Sequence, residues 1–224
     1  RGFRVPGFTT AGIFCGIKTN KQKDLALIFS EKPSVAAGLF TSNQVVSPTI
    51  IWCQEILKSS KRFRAIVVNS GNANACTGSK GMEDCKSLAF KLSQKLSVEA
   101  KEILIASTGI IGVPLPINKI VKALPALSRK LSPIGWVSSA EAIMTTDLTP
   151  KFKSLSFYIG KDKITMGGIA KGSGMIHPNM ATMLAFIATD AAIDKKTLGR
   201  ALKEANNKTF NRITVEGDTS TNDM

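Results

Sequence analysis

The chemistry this chain could perform is concentrated in Lys171 to Asp190, KGSGMIHPNMATMLAFIATD. Gly172 and Gly174 open backbone conformations that other residues avoid, and Pro178 fixes its own φ and has no N–H to donate. Residues 171–179 therefore read as a loop and not as helix. The loop then delivers a small residue and a hydroxyl in succession, Ala181 and Thr182, into the apolar run Met183 to Ala188. A rigid turn that presents one threonine at the edge of a core is a way to hold a nucleophile. The plainer reading, a glycine-rich loop ahead of a buried strand or helix, is the one the local pattern by itself favours.

The other reactive side chains narrow the choices. His177 is the only histidine, so a Ser–His or Cys–His mechanism would have to run through it. Cys15, Cys53, Cys76 and Cys85 form no CxxC pair, so no metal site is expected; they read as reduced, partly buried thiols in a cytosolic-type interior. The formal charge of +14 is spread from Lys18 to Lys208, and aromatic residues make up 6% of the chain. A nucleic-acid groove would concentrate its cations and interleave aromatics among them. A solvated surface with some attraction for anionic substrates is the better account, and no nucleic-acid partner is expected.

The chain has 224 residues, 43% hydrophobic and 21% charged, enough for one large domain with a sizeable core and outside the disordered and collagen-like classes. No apolar run approaches the roughly 20 residues of a membrane-spanning helix. RGFRVPGFTTAG lacks the apolar core and cleavage pattern of a signal peptide, so neither secretion nor a membrane partner is expected. The expected compartment is the cytoplasm, or a mitochondrion or plastid in a eukaryote.

The elements that would position the loop follow from periodicity and turn residues. Strands are expected at Ala11 to Ile17, Asp24 to Phe29, Val35 to Thr41, Ala65 to Asn69 and Glu102 to Ala106. Ser47 to Ile56 turns helical, Gly81 to Leu96 has a helical period, Ile117 to Leu131 reads as a helix interrupted near Pro125, and Ala140 to Met144 is a further helix. A hairpin spans Lys153 to Met166 around Gly160–Asp162, and Lys195 to Arg212 reads as an amphipathic helix with Leu198, Leu202, Ala205 and Phe210 inward. Two strands run into small polar loops that could form a site, AIVVN into SGNANACTG and EILIA into STGIIG. The first could instead be a turn whose asparagines satisfy their own backbone, and the two readings weigh equally. The second could aim a hydroxyl and an N–H at one point, although a plain turn fits the local pattern better. Thr145-Thr146-Asp147 could cap an element or face a site. No repeat or linker divides the chain.

DLALIF, AAGLFTSN, AIVVNSGNANACTG, ILIASTGIIGVPLP, AIMTTD, AKGSGMIHPNMATMLAFIATDA and ITVEGDTSTND run in order along nearly the whole chain. Together they resemble the ornithine acetyltransferases, the bifunctional glutamate N-acetyltransferases of arginine biosynthesis. The resemblance implies an α/β (α+β) fold, layered sheets flanked by helices in a DmpA/ArgJ-like sandwich. Since the family chain continues past Met224 into further substrate contacts, the sandwich is expected to be incomplete at the C-terminus. It implies one catalytic domain over 1–224, self-cleaved between Ala181 and Thr182 into an α chain, 1–181, and a β chain starting at 182. Thr182 would carry acetyl from N-acetylornithine to glutamate, with its freed α-amine, of ordinary pKa about 7.7–8.0, as general base. Thr108 and Gly109 match the oxyanion positions, and Thr145 and Lys171 match substrate-binding positions, the Lys171 ammonium suiting the α-carboxylate both amino acids share. No cofactor is implied; acetyl-CoA is a candidate co-substrate, and the α and β chains would pair as a heterodimer that doubles to a heterotetramer. A self-processing threonine aminopeptidase or amidase is the alternative, and STGIIG and MTTD favour the transferase.

Overall fold

The computed structural model describes residues 2–174, 183–216 and 220–224. A four-stranded sheet in the order β1-β2-β3-β4 forms one layer: β1 Phe8–Ile13, β2 Leu25–Ser34, β3 Phe63–Asn72 and β4 Ile103–Ile110. The β1/β2 and β2/β3 pairs are antiparallel, whereas β3 and β4 are parallel. A parallel pair needs a crossover, and the 19-residue helix α2, Gly78–Leu96, supplies it. A second sheet, β5 Lys151–Ile159, β6 Asp162–Lys171 and β7 Leu184–Thr189, is an antiparallel meander.

Alternation along the strands of the first sheet explains the layering. Leu25, Leu27, Val67, Ile103 and Ile105 point into one core with α1 Pro48–Ser59, α2 and α3 Ile117–Arg129. Ala26, Ile28, Val68 and Ala106 point into a second core, where α4 Trp136–Ile143 and the residues Ile169, Leu184 and Phe186 of the second sheet meet them. The order is helices, sheet, then α4 with the second sheet, which is the expected layered α/β fold. Trp136 is fully buried at this junction and stacks on Phe3 with ring centroids 5.1 Å apart.

Several boundaries differ from expectation, each for a physical reason. The first strand stops at Ile13 because the chain then wraps the buried Asp24 carboxylate, which accepts the N–H groups of Cys15, Ile17 and Lys18 at 2.6–2.9 Å. Val35 to Thr41 is not a strand: β2 already has β1 and β3 on its two edges, and the Thr41 N–H and hydroxyl go instead to the carbonyls of Asp223 and Ser220. The α3 helix continues through Pro125, held by Leu124 and Leu127, both fully buried on either side of the missing hydrogen bond. The last helix, α5 Lys195–Lys208, ends before Arg212, and none of its residues is buried; Ala205, expected inward, is exposed. The hairpin is longer than expected, with β5 and β6 joined by Gly160 and Lys161.

Candidate functional site

The site grows from the ends of β4 and β6. Six consecutive buried residues, Ile103 to Thr108, carry β4 to the edge of its sheet, and Gly109 follows with φ +133°. A Cβ at Gly109 would stand 2.3 Å from the Gly71 carbonyl carbon on β3, so only glycine lets the two strand ends approach this closely. Thr108 is thereby fixed at the end of a rigid parallel pair. Lys171, the last residue of β6, is 4% exposed, and its Nζ donates to the Thr108 hydroxyl at 3.3 Å.

Burial pushes the Lys171 ammonium below its usual range and Lys151 adds to the shift, whereas Asp147 and Asp223 work against it. Among the described residues, no carboxylate lies within ion-pair distance of it. A buried cation held by a neutral hydroxyl favours an incoming anion, because a carboxylate would supply the charge partner that the interior lacks.

Asp147 organises the other wall. Its Oδ1 accepts the Gly172 N–H at 2.8 Å and the Lys151 ammonium at 2.5 Å, and its Oδ2 accepts the Thr145 N–H at 3.3 Å. Burial raises this carboxyl, but Lys151 and the two backbone N–H groups outweigh burial and hold it below the usual carboxylate value. One side chain thus ties the Thr145 loop to the residue after Lys171, and the hydroxyls of Thr146 and Ser173 add a contact at 2.6 Å. Lys18 donates to the Met144 carbonyl at 2.7 Å and brings a further positive charge to Lys171.

Ala181, Thr182 and His177 lie outside the described residues. The strands on either side are defined: Lys171 pairs directly with Leu184 across β6 and β7. Thr182 is two residues before Leu184, so at most about 7 Å of backbone separates it from the strand position opposite Lys171. Thr108 and Lys171 touch directly, and Asp147 links Thr145 to Gly172, so these residues stand together where the chain enters residues 175–182.

The asparagines of NSGNANACTG serve the fold. Asn72 donates to the Val113 and Pro114 carbonyls, Asn74 to the Gly81 carbonyl, and Asn69 receives the Ser107 hydroxyl at 2.6 Å. Sequence reasoning gave no role to 220–224, which are buried or nearly so. Asn222 donates to the carbonyls of Ala73 and Ser107, and the Asp223 Oδ1 accepts the Met183 N–H at 2.9 Å. The signal available was a run of small polar residues, STND, a composition that solvent-exposed turns share.

A buried lysine beside a hydroxyl, at the rim between two packed sheets, is first a matter of fold class. The chain is similar to the L-aminopeptidase D-Ala-esterase/amidase of Ochrobactrum anthropi, described as a variant of the Ntn hydrolase fold, at 12% identity and a TM-score of 0.51 over 90% of this chain and 66% of that one. That likeness concerns the fold alone. The family is narrower: the ArgJ family model matches residues 9–224, and the chain belongs to the ArgJ family. It is 51% identical to the arginine biosynthesis bifunctional protein ArgJ of Caldanaerobacter subterraneus over 97% of this chain and 53% of that protein. It therefore spans about half the length of the curated relatives it matches. Among solved structures, it matches the Bacillus halodurans ArgJ protein with TM-score 0.74 and 35% identity, covering 79% of this chain and 92% of that one. It matches the Mycobacterium tuberculosis ornithine acetyltransferase complexed with ornithine with TM-score 0.68 and 35% identity, covering 82% and 94%.

Proposed function

We propose that this chain carries the acyl-transfer centre of an enzyme of arginine biosynthesis that moves acetyl from N2-acetylornithine to glutamate, with acetyl-CoA as a second donor. The observation that carries the reading is the buried Lys171 ammonium on the Thr108 hydroxyl, at the root of the loop that contains Thr182. Family membership and the ornithine complex of a 35% identical relative support the substrate class.

The precursor first cleaves itself. The Thr182 hydroxyl adds to the Ala181 carbonyl, the acyl group moves from nitrogen to oxygen, and water hydrolyses the ester. The products are a carboxylate on Ala181 and an α-amine on Thr182. That amine then takes the proton of its own hydroxyl as the oxygen attacks the acetyl carbonyl of N2-acetylornithine. The developing oxyanion meets the Thr108 hydroxyl and the Gly109 N–H, and the proton passes to the departing ornithine amine. Glutamate attacks the acetyl ester by the reverse path. Lys171 pairs with the α-carboxylate of each amino acid, and Thr145 lines the same pocket from the loop that Asp147 fixes. The α and β chains form a heterodimer, and two heterodimers form the tetramer.

The test is an assay of acetyl transfer from N2-acetylornithine to glutamate by the full-length protein and by Thr182→Ala, with sequencing of all chain amino termini. Wild type yields a chain starting at Thr182 and forms N-acetylglutamate; the variant does neither. Release of free acetate with no N-acetylglutamate would make the protein a hydrolase and overturn the reading.

A further inference from the structure

Lys18 is half-buried, and the chemistry proposed above assigns it no task. Its root is fixed before its head is placed. The fully buried Asp24 carboxylate accepts the Lys18 N–H at 2.9 Å together with those of Cys15 and Ile17, which curls the chain after β1. The stem then lies over Gly71, where a Cβ would stand 3.2 Å from the Lys18 Cγ, so it crosses the strand end that Gly109 abuts. The ammonium arrives between two carbonyls, that of Lys23 at 2.8 Å and that of Met144 at 2.7 Å.

Met144 directly follows α4, and a helix end leaves its last carbonyls in need of donors. The Ser70 hydroxyl donates to the Ala142 carbonyl at 2.6 Å, and Lys18 serves Met144 with a cation at the negative end of the helix dipole. The Met144 carbonyl shares its peptide with the Thr145 N–H, which donates to the Asp147 Oδ2 at 3.3 Å. A planar peptide is therefore held by a cation at its oxygen and by an anion at its nitrogen, which fixes its rotation and the Thr145 Cα with it. The same carboxylate holds the Gly172 N–H, so the hold extends to the residue after Lys171. Lys23 and Glu141 tie this loop to α4 a second time, at 2.5 Å, but with side chains 39% and 41% exposed that pair is screened by water and contributes less.

We propose that Lys18 is a positioning residue for substrate binding: its ammonium and the Asp147 carboxylate clamp the Met144–Thr145 peptide between them and so set Thr145 relative to Lys171. The inference rests on the reading of Thr145 and Lys171 as substrate contacts given above. Lys18 acts through the peptide and not on the substrate. Without its ammonium the Met144 carbonyl loses its charged donor, the plane turns about its flanking bonds, and Thr145 turns with it. Burial lowers the Lys18 ammonium below its usual range and the Lys171 charge adds to the fall, whereas Asp24 and Asp147 oppose it. The carboxylate that holds the peptide N–H thus also favours the charged form of the group at the peptide oxygen.

The test uses full-length Lys18→Met, Lys18→Arg, Thr145→Ala and the Lys18→Met/Thr145→Ala double variant. It measures kcat and KM for N2-acetylornithine and glutamate, thermal stability, and deuterium exchange of the Thr145 amide. Lys18→Met keeps the stem but loses the ammonium, so KM for both substrates rises about 10-fold while kcat stays within about 3-fold. Lys18→Arg keeps the charge and recovers part of the loss. In the Thr145→Ala background the same Lys18→Met change moves KM by less than about 2-fold, because the residue it acts through is gone. Exchange at the Thr145 amide quickens by about 10-fold in Lys18→Met. Unchanged KM, a loss confined to kcat, an equal loss in Lys18→Met and Lys18→Arg, the same factor in both backgrounds, or unchanged exchange at Thr145 overturns the proposal. So does failure of both Lys18 variants to fold, which would make Lys18 a structural anchor of α4. A wild-type protein that forms no N-acetylglutamate defeats the underlying reading instead, while exchange at Thr145 still reports on the clamp, so the two failures are distinguishable.

Discussion

Lys171 is the residue that changed most between sequence and structure. In the sequence it stands at the head of a glycine loop, where a lysine is usually solvated; in the fold it is 4% exposed and reaches the Thr108 hydroxyl. Its burial was not legible from local pattern, because it depends on β6 ending against β4, which no spacing within KGSG encodes. Thr108 was legible as a candidate from STG after a strand, though only the pairing with Gly71 shows why Gly109 must follow it. Two expected outcomes belong at this scale. If the Thr108 hydroxyl is the oxyanion donor proposed above, Thr108→Val lowers kcat by about 10²–10³. Lys171→Met removes a charged hydrogen bond and lowers kcat/KM by about 10- to 100-fold, mostly through KM, for N2-acetylornithine and glutamate alike. Steady-state kinetics with each substrate varied separately reads both.

The two acid groups give opposite pH signatures. Asp223 titrates at about 7 in the folded chain against an ordinary 3.8, so the folded state holds a proton that the unfolded chain releases. Stability therefore falls as pH rises from about 4 to about 7, and is level above that window. Asp147 is lowered, so its contribution is present above the ordinary 3.8 and is lost as pH falls through its folded value. Melting temperatures from about pH 3 to about pH 8 show both limbs, and Asp223→Asn removes the decline above about pH 4 while leaving the acid limb in place.

At the scale of elements, strong patterns translated directly. The apolar run of β3 and the helical period of α2 follow from burial on two faces and on one stripe, whereas the alternation of β5 marks a strand whose apolar residues Leu155, Phe157 and Ile159 are exposed. Local pattern failed where tertiary contacts decided. Val35 to Thr41 has strand-like residues, but its Thr41 bonds the carbonyls of Asp223 and Ser220 instead of a strand, and Pro125 would break an isolated helix but sits between two fully buried leucines. The element with the greatest leverage on the site is α4, whose Trp136 fills the junction between the sheets and packs within the same core as Ile169 and Phe186. Trp136→Ala is expected to destabilise by about 3–5 kcal/mol, seen as a lower denaturant midpoint with unchanged m, because the cavity opens between two layers that cannot close on it.

Across the whole molecule, the site joins segments far apart in the chain: Thr108 at the end of the first sheet, Lys171 in the second, and residues 220–224 threaded between them. Order along the sequence gave the motifs, but not that Asn222 bridges the loop after β3 and the end of β4. Asn222→Ala leaves the Ala73 and Ser107 carbonyls without that donor and is expected to destabilise by about 1–3 kcal/mol, measurable by chemical denaturation. Two strand ends and one buried segment thus meet at the chain positions that flank residues 175–182.

The central claim, acetyl carried on Thr182, is tested most directly by peptide mass spectrometry of the full-length protein after brief exposure to N2-acetylornithine without glutamate. The account predicts one acetyl group on the peptide that begins at Thr182, removed when glutamate is added and recovered as N-acetylglutamate. An acetyl group on any other residue, or none at Thr182 while transfer proceeds, would contradict it.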